Sequence, residues 1–206
     1  GRAFARVGEV AGEGVPLARV FRDFQRLYLE EGADWVPYLA GGAGPLGYAD
    51  VISPATDAPL ARGDVLMLDT GLVVGGYYCD FDRNYAVGTP APQVEAAWDS
   101  LLQATEAGVQ AATPGARACD VFAAMDRIVG GSETGRLGHG LGMQLTEWPS
   151  LTAADRTVLR PGMVLALEPS VGVPGGGLLV HEENLVLRDD GAEILSPRAQ
   201  GPLTRI

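Results

Sequence analysis

The sequence predicts an α+β domain built on antiparallel hairpins, and three observations carry that expectation. Two strand-like apolar runs, residues 64–70 and 77–87, flank a Gly-bounded turn at 71–76. A second pair, 163–168 and 178–187, flanks a Gly-rich turn at 175–177. The remaining long stretches place apolar residues at helical spacing, and helices packed on hairpins give an α+β class.

In chain order, residues 2–10 form a short amphipathic stretch that ends at Gly12 and Gly14. Pro16 suits the first turn of a helix, on which Leu17, Val20, Phe21, Phe24, Leu27 and Tyr28 share a face up to Gly32. Residues 36–40 read as a strand, and 41–63 as a long irregular segment rich in Gly, Pro, Ser and Asp. After the first hairpin, Pro90 and Pro92 introduce a helix with Val94, Ala97, Trp98, Leu101 and Leu102 on one side. Thr113-Pro114-Gly115 breaks it, 118–129 is another helix, and 135–142 is a glycine-rich bend. Pro161-Gly162 turns the chain into the second strand pair, and a last short strand lies near Ile194. No repeat, low-complexity segment or linker divides the 206 residues, so one domain is expected.

Composition removes several chemistries. All 15 basic residues are Arg, so no Schiff-base or phosphate-loop lysine exists. Two Cys and two His cannot build a structural and a catalytic zinc site together. A net charge of −11 argues against a nucleic-acid surface. No apolar run approaches the ~20 residues of a membrane span. With two cysteines in a chain this size, a reduced, cytoplasmic setting is the default expectation. The chain starts abruptly inside an apparent helix, which fits the loss of an N-terminal domain.

Any chemistry therefore falls to carboxylates and imidazoles. Asp69 follows Val65-Leu66-Met67-Leu68, and Asp80 sits among Tyr77, Tyr78, Cys79 and Phe81. Glu168 follows Val164-Leu165-Ala166-Leu167, and Glu182 precedes Leu185-Val186-Leu187. One strand-embedded Asp is ordinarily a turn cap or an ion-pair partner. Four carboxylates beside apolar strands need compensating cations, and hard divalent ions take oxygen ligands. His139, between two glycines, adds a fifth candidate. Residues 80–84 imitate an EF-hand start, but Tyr85 and Ala91 stand where Gly and Glu are required. The 138–142 glycines match no dinucleotide fingerprint. Cys79 has no adjacent cation or His and reads as a small buried strand residue.

The segments GDVLMLDTG, GGYYCDFDR, GHGLGM, RPGMVLALEPS and HEENLVL, in this order, resemble the pita-bread metallopeptidase family. That family includes methionine aminopeptidase, Xaa-Pro aminopeptidase, prolidase and creatinase. The resemblance runs from about Gly14 to about Pro197 and implies two pseudo-symmetric halves around a curved antiparallel sheet. It implies metal ligands at Asp69, Asp80, His139, Glu168 and Glu182, with Glu183 the rival for the last. Asp80 and Glu182 would bridge two divalent ions, Mn, Fe or Co in preference to Zn. Their shared water would attack an amide carbonyl, with Glu168 as general base. A homodimer, a peptide or small-molecule amide substrate, and no nucleic-acid or membrane partner complete the expectation.

Departures from the family pattern concern the surrounding groups. Substrate histidines expected 17 or 18 residues before Asp69 and seven after His139 are replaced by Val51 or Ile52 and by Thr146. Asp82 stands where the family has Thr or Ser; Asn84 replaces a further Thr, and Arg83 is retained. Asp82, Thr146, Glu147, Trp148 and His181 are the candidate pocket residues. Three readings follow: an Xaa-Pro peptidase, the same metal site acting on a small non-peptide amide, and a non-catalytic peptidase-like binding module.

Overall fold

The computed structural model describes residues 1–131, 135–199 and 201–206. Helix α1 (Arg2–Ala5) and a short 3-10 turn lead to α2 (Leu17–Glu30), whose six predicted apolar residues are all buried. Phe4, Phe24, Tyr28 and Phe81 meet there with ring centroids 4.7–5.9 Å apart. The first half is completed by β1 (Leu39–Gly44), β2 (Val65–Thr70), the two-residue hairpin strands β3 (Val73–Val74) and β4 (Tyr77–Tyr78), and β5 (Phe81–Ala86). Two helices follow, α3 (Pro92–Ala111) and α4 (Ala118–Val129), the latter ended by left-handed Gly130. The second half holds β6 (Gly138–Gly140), β7 (Glu147–Ser150), β8 (Val164–Leu167), β9 (Ser170–Gly172), β10 (Leu178–Val180), β11 (Glu183–Arg188) and β12 (Gly191–Ile194). A final strand, β13 (Thr204–Arg205), returns to the first half and pairs in parallel with β5.

The strands form a sheet ordered β1-β2-β5-β13 and a second ordered β12-β11-β8-β6-β7, with β9 and β10 as a separate hairpin. Strand alternation divides each sheet into a packed face and a site face. Leu66, Leu68, Phe81 and Tyr85 join the α1–α2 core, whereas Leu165, Leu167, Leu185 and Leu187 join the core under α3 and α4. Val65, Met67 and Ala86 turn the other way, into a third core with Trp98 and Leu101. By the same parity Asp69, Asp80 and Asp82 stand opposite the α2 face. Glu168 likewise stands opposite Leu165 and Leu167.

The structure corrects four local expectations. The strand predicted at 36–40 runs instead from Leu39 to Gly44, so Gly41–Gly44 are not irregular. Their glycines let the backbone come close: a Cβ at Gly41 would lie 2.2 Å from the Met67 carbonyl oxygen. The runs 77–87 and 178–187 are each interrupted, at Cys79-Asp80 and at His181-Glu182. At both breaks side chains replace ladder partners. Asp80 N–H donates to Asn184 Oδ1 (2.9 Å), and Glu182 N–H donates to Asp82 Oδ1 (2.7 Å). The 135–142 bend contains a strand, β6, with His139 at its centre. Strands β7 and β13 were not signalled by the local pattern, since the first carries Pro149 and the second is two residues long.

β6 fits between β7 and β8 because glycines flank His139 on both sides. A Cβ on Gly138 would lie 2.3 Å from the Ala166 carbonyl oxygen and 2.5 Å from Leu151 Cδ1. Gly138→Ala is therefore expected to cost about 3 kcal/mol of unfolding free energy, measured by urea denaturation. Among the described residues, no helix is long and apolar enough to cross a membrane.

Candidate metal centre

Asp69, Asp80, His139, Glu168 and Glu182 line one cavity of about 440 Å³ between the two sheets. They come from β2, the break before β5, β6, the end of β8 and the break before β11. Asp80, His139 and Glu182 form the tightest group, with one potential ligand atom from each all within 4.8 Å. His139 Nε2 lies 3.3 Å from Asp80 Oδ2 and 4.0 Å from Glu168 Oε2. On its other side Nδ1 is 2.8 Å from the Gly140 carbonyl. That contact assigns the proton to Nδ1 and aims the Nε2 lone pair at the carboxylates.

The electrostatics of this cluster are unfavourable without a cation. Burial, followed by the charge of Asp80, pushes the carboxyl of Asp69 and that of Glu182 well above the usual range. Burial also raises Glu168 and Asp82. For His139 burial is the largest effect and pulls downward, but the Asp80 hydrogen bond and the charge of Glu168 outweigh it, so the net shift is upward. Among the described residues, Asp69 Oδ1 and Glu182 Oε1 are buried polar atoms with no hydrogen-bond partner. Unpartnered oxygens on crowded carboxylates beside an oriented imidazole fit a divalent cation, which supplies the missing charge and the missing partner together.

Supporting groups hold the cluster in place. The Tyr38 hydroxyl donates to Asp69 Oδ2 and lies 3.3 Å from Asp80 Oδ1. Burial and the charge of Asp69 drive the phenol upward, so it stays a donor. Arg83 reaches the Glu182 carbonyl at 3.0 Å and Glu183 Oε2 at 2.9 Å. Glu183, fully buried, also accepts from Ser196 and from Ala199 N–H, so it is committed to structure and Glu182 is the one that lines the cavity. Cys79 is a half-buried thiol pushed up to about 11 by burial, which leaves it a poor nucleophile.

The predicted pocket residues divide. Asp82 and Thr146 line the cavity, as do Val51 and Ile52. Asp82 pairs directly across from Asp69 in the β2–β5 ladder and accepts from Asn84 Nδ2 (3.1 Å). Glu147, Trp148 and His181 are corrections, since none lines the cavity. Glu147 accepts from Gln144 N–H (2.9 Å) and closes a turn. Trp148 is 71% exposed, with its indole N–H on the Thr157 hydroxyl (2.7 Å). His181 is buried edge-on against Trp98, with Nε2 3.5 Å from Glu183 and Nδ1 3.6 Å from Asp82. Tyr38 and Arg136 line the cavity and were missed. Tyr38 lies 31 residues from the carboxylate it touches and has no local signal. Arg136, three residues before His139, could have been read from the bend it shares with that imidazole.

The model of metallopeptidase family M24 matches residues 1–189. The chain belongs to this family. It is 33% identical over 199 residues to the "Probable dipeptidase PepE" of Mycobacterium tuberculosis, covering 93% of this chain and 52% of that protein. Against the Xaa-Pro dipeptidase of Pyrococcus furiosus it is 31% identical over 147 residues, 69% of this chain and 42% of that one. The crystal structure of dipeptidase PepE from Mycobacterium ulcerans superposes with a TM-score of 0.90 at 31% identity, covering 99% of this chain and 56% of that one. The pita-bread fold is thereby established, and this M24 chain spans about half the length of the curated relatives it matches.

Proposed function

We propose that this M24 domain hydrolyses an amide bond in a peptide, using two divalent ions held by Asp69, Asp80, His139, Glu168 and Glu182. The observation that carries the reading is the buried cluster itself, in which two carboxylate oxygens lack any donor. Four carboxylates to one imidazole favour Mn, Fe or Co over Zn. When bound, such ions lower the pKa of a water toward neutrality and polarise a carbonyl. The protein's own groups do the rest. Tyr38 fixes the rotamer of Asp69, and Gly140 fixes the tautomer of His139. Arg83 and Asp82 hold the backbone that presents Glu182. Glu168, with a raised carboxyl, is placed to take a proton from the attacking water and pass it to the leaving amine.

A second reading keeps the metal site and changes the substrate to a small non-peptide amide. Val51, Ile52 and Thr146 on the cavity wall favour it, because the resembling peptidases place histidines at those positions. One experiment separates the readings. Protein supplemented with Mn and freed of excess ion is assayed for metal content and for turnover of Xaa-Pro dipeptides beside a panel of cyclic amides. Two ions per chain with dipeptide turnover is the expected result. Turnover confined to the cyclic amides selects the second reading. Fewer than one ion per chain, with stability unaltered by Asp69→Ala, overturns both.

A further inference from the structure

His181 is a buried imidazole, 1% exposed, that the chemistry above does not use. It stands in the two-residue break between β10 and β11, the point at which Glu182 turns into the cavity. Its ring is fixed on three sides. Trp98 meets it edge-on with centroids 5.0 Å apart, Nε2 lies 3.5 Å from Glu183 Oε1, and Nδ1 lies 3.6 Å from Asp82 Oδ1. Nδ1 has no hydrogen-bond partner, a condition it shares, among the described residues, with the Tyr28 hydroxyl and the candidate ligand oxygens Asp69 Oδ1 and Glu182 Oε1.

Nδ1 faces the carboxylate that carries the break. Asp82 Oδ1 accepts from Glu182 N–H (2.7 Å). Asp82 Oδ2 accepts from Asn84 Nδ2 (3.1 Å), and the same amide donates to the Val180 carbonyl (2.8 Å). Asp82 is therefore tied to the chain on both sides of His181, at 180 and at 182. Asp69 stands directly across the ladder from Asp82, and like charges so placed repel. Arg83, the neighbouring guanidinium, is committed to the Glu182 and Pro197 carbonyls and to the Glu183 carboxylate. The contact from Nδ1 to Asp82, at 3.6 Å, is too long for a hydrogen bond and acts through charge and dipole, which a buried setting strengthens. We infer that His181 is a positioning residue for the metal centre: through Asp82 it holds the strand break at which Glu182 is presented to the cavity. The inference rests on the ligand set proposed above.

The test is a double-mutant cycle of His181→Leu and Asp82→Ala, with Mn affinity read by calorimetry and stability by thermal scans of the metal-free protein. Leucine keeps bulk against Trp98 and removes both ring nitrogens. Each single variant should weaken Mn binding about 10- to 100-fold, the range for groups that orient a ligand from behind. The double variant should bind Mn within about threefold of Asp82→Ala alone, because His181 acts through that carboxylate. His181→Asn, whose amide nitrogen replaces Nδ1, should recover most of the affinity, which lost packing alone would not allow. Losses that multiply in the double variant, or a His181→Leu affinity within about twofold of wild type, overturn the inference. If His181→Leu does not fold, His181→Gln takes its place; its amide nitrogen lies one bond further out, so it should lose affinity that His181→Asn keeps, and equal affinities overturn the inference. Wild type that binds no Mn sinks the ligand set itself. The cycle is then read on metal-free Tm, where non-additive losses uphold the His181–Asp82 linkage and additive ones overturn it.

Discussion

Glu182→Gln should make the metal-free protein more stable and the metal-supplemented protein less so. Glu182 is 3% exposed, its Oε1 has no partner, and burial together with Asp80 and Asp69 disfavours its charge. Replacing that disfavoured charge by a neutral amide relieves the repulsion, a gain on the order of 1 kcal/mol, read at roughly 2–4 °C in Tm per kcal/mol for a domain of this size. The backbone bond from Glu182 N–H to Asp82 is untouched by the substitution. Against this, the wild type should gain about 2.7 kcal/mol at an ion concentration 100 times Kd, a gain the variant forfeits. Thermal scans with and without Mn measure both changes. A variant less stable than wild type without metal would show that Glu182 is held by the fold and not strained by it.

The same repulsion fixes the sign of the pH dependence. Asp69, Glu168 and Glu182 have folded pKa values raised, chiefly by burial, above their unfolded ones. Above the unfolded carboxylate range, about pH 4, the folded metal-free chain therefore binds more protons than the unfolded one. Its stability is complete below that range and is lost as pH rises through the raised values. His139, also raised, acts in the same direction. Metal-free Tm should fall as pH increases from about 4 toward neutrality, and bound divalent ions should flatten the profile.

Glu168→Gln should lower kcat by about 10²- to 10⁴-fold at saturating metal, with KM moving much less. The amide preserves the size of the side chain and can still accept from Arg136 Nε, but it cannot take up a proton. Glu168 is also a candidate ligand, so metal content is measured on the same sample. A kcat within tenfold of wild type at full metal occupancy would move the proton-transfer role to another group.

How much of this site was legible follows from how each residue is placed. Asp69 and Glu168 announce themselves locally, because a carboxylate at the end of a buried apolar strand has few explanations. Spacing favours Glu182 over Glu183, because Glu182 stands three residues before Leu185 as the family glutamate does before its first aliphatic residue. In the structure Arg83 and Ser196, 100 and 13 residues away from Glu183 in sequence, occupy its carboxylate, while Glu182 faces the cavity. His181 misled because its neighbour in sequence belongs to the cavity, while its own ring packs on Trp98. Adjacent residues at a strand break point in opposite directions, and only the partners on each side identify which is which.

By itself the sequence determined the hairpin-built α+β class, the helix at 118–129 to the residue, and the order of five acid- and glycine-bearing motifs. Those are local properties, set by apolar periodicity, turn residues and the cost of burying charge. Tertiary structure alone decided that Gly41–Gly44 is a strand and that Tyr38 bonds Asp69. It also placed Arg136 on Glu168 and brought β13 back to pair with β5. Each depends on a contact between segments far apart in the chain. A β-ladder or a buried hydrogen bond is satisfied by whichever partner the fold brings near, and nothing in the local pattern names that partner.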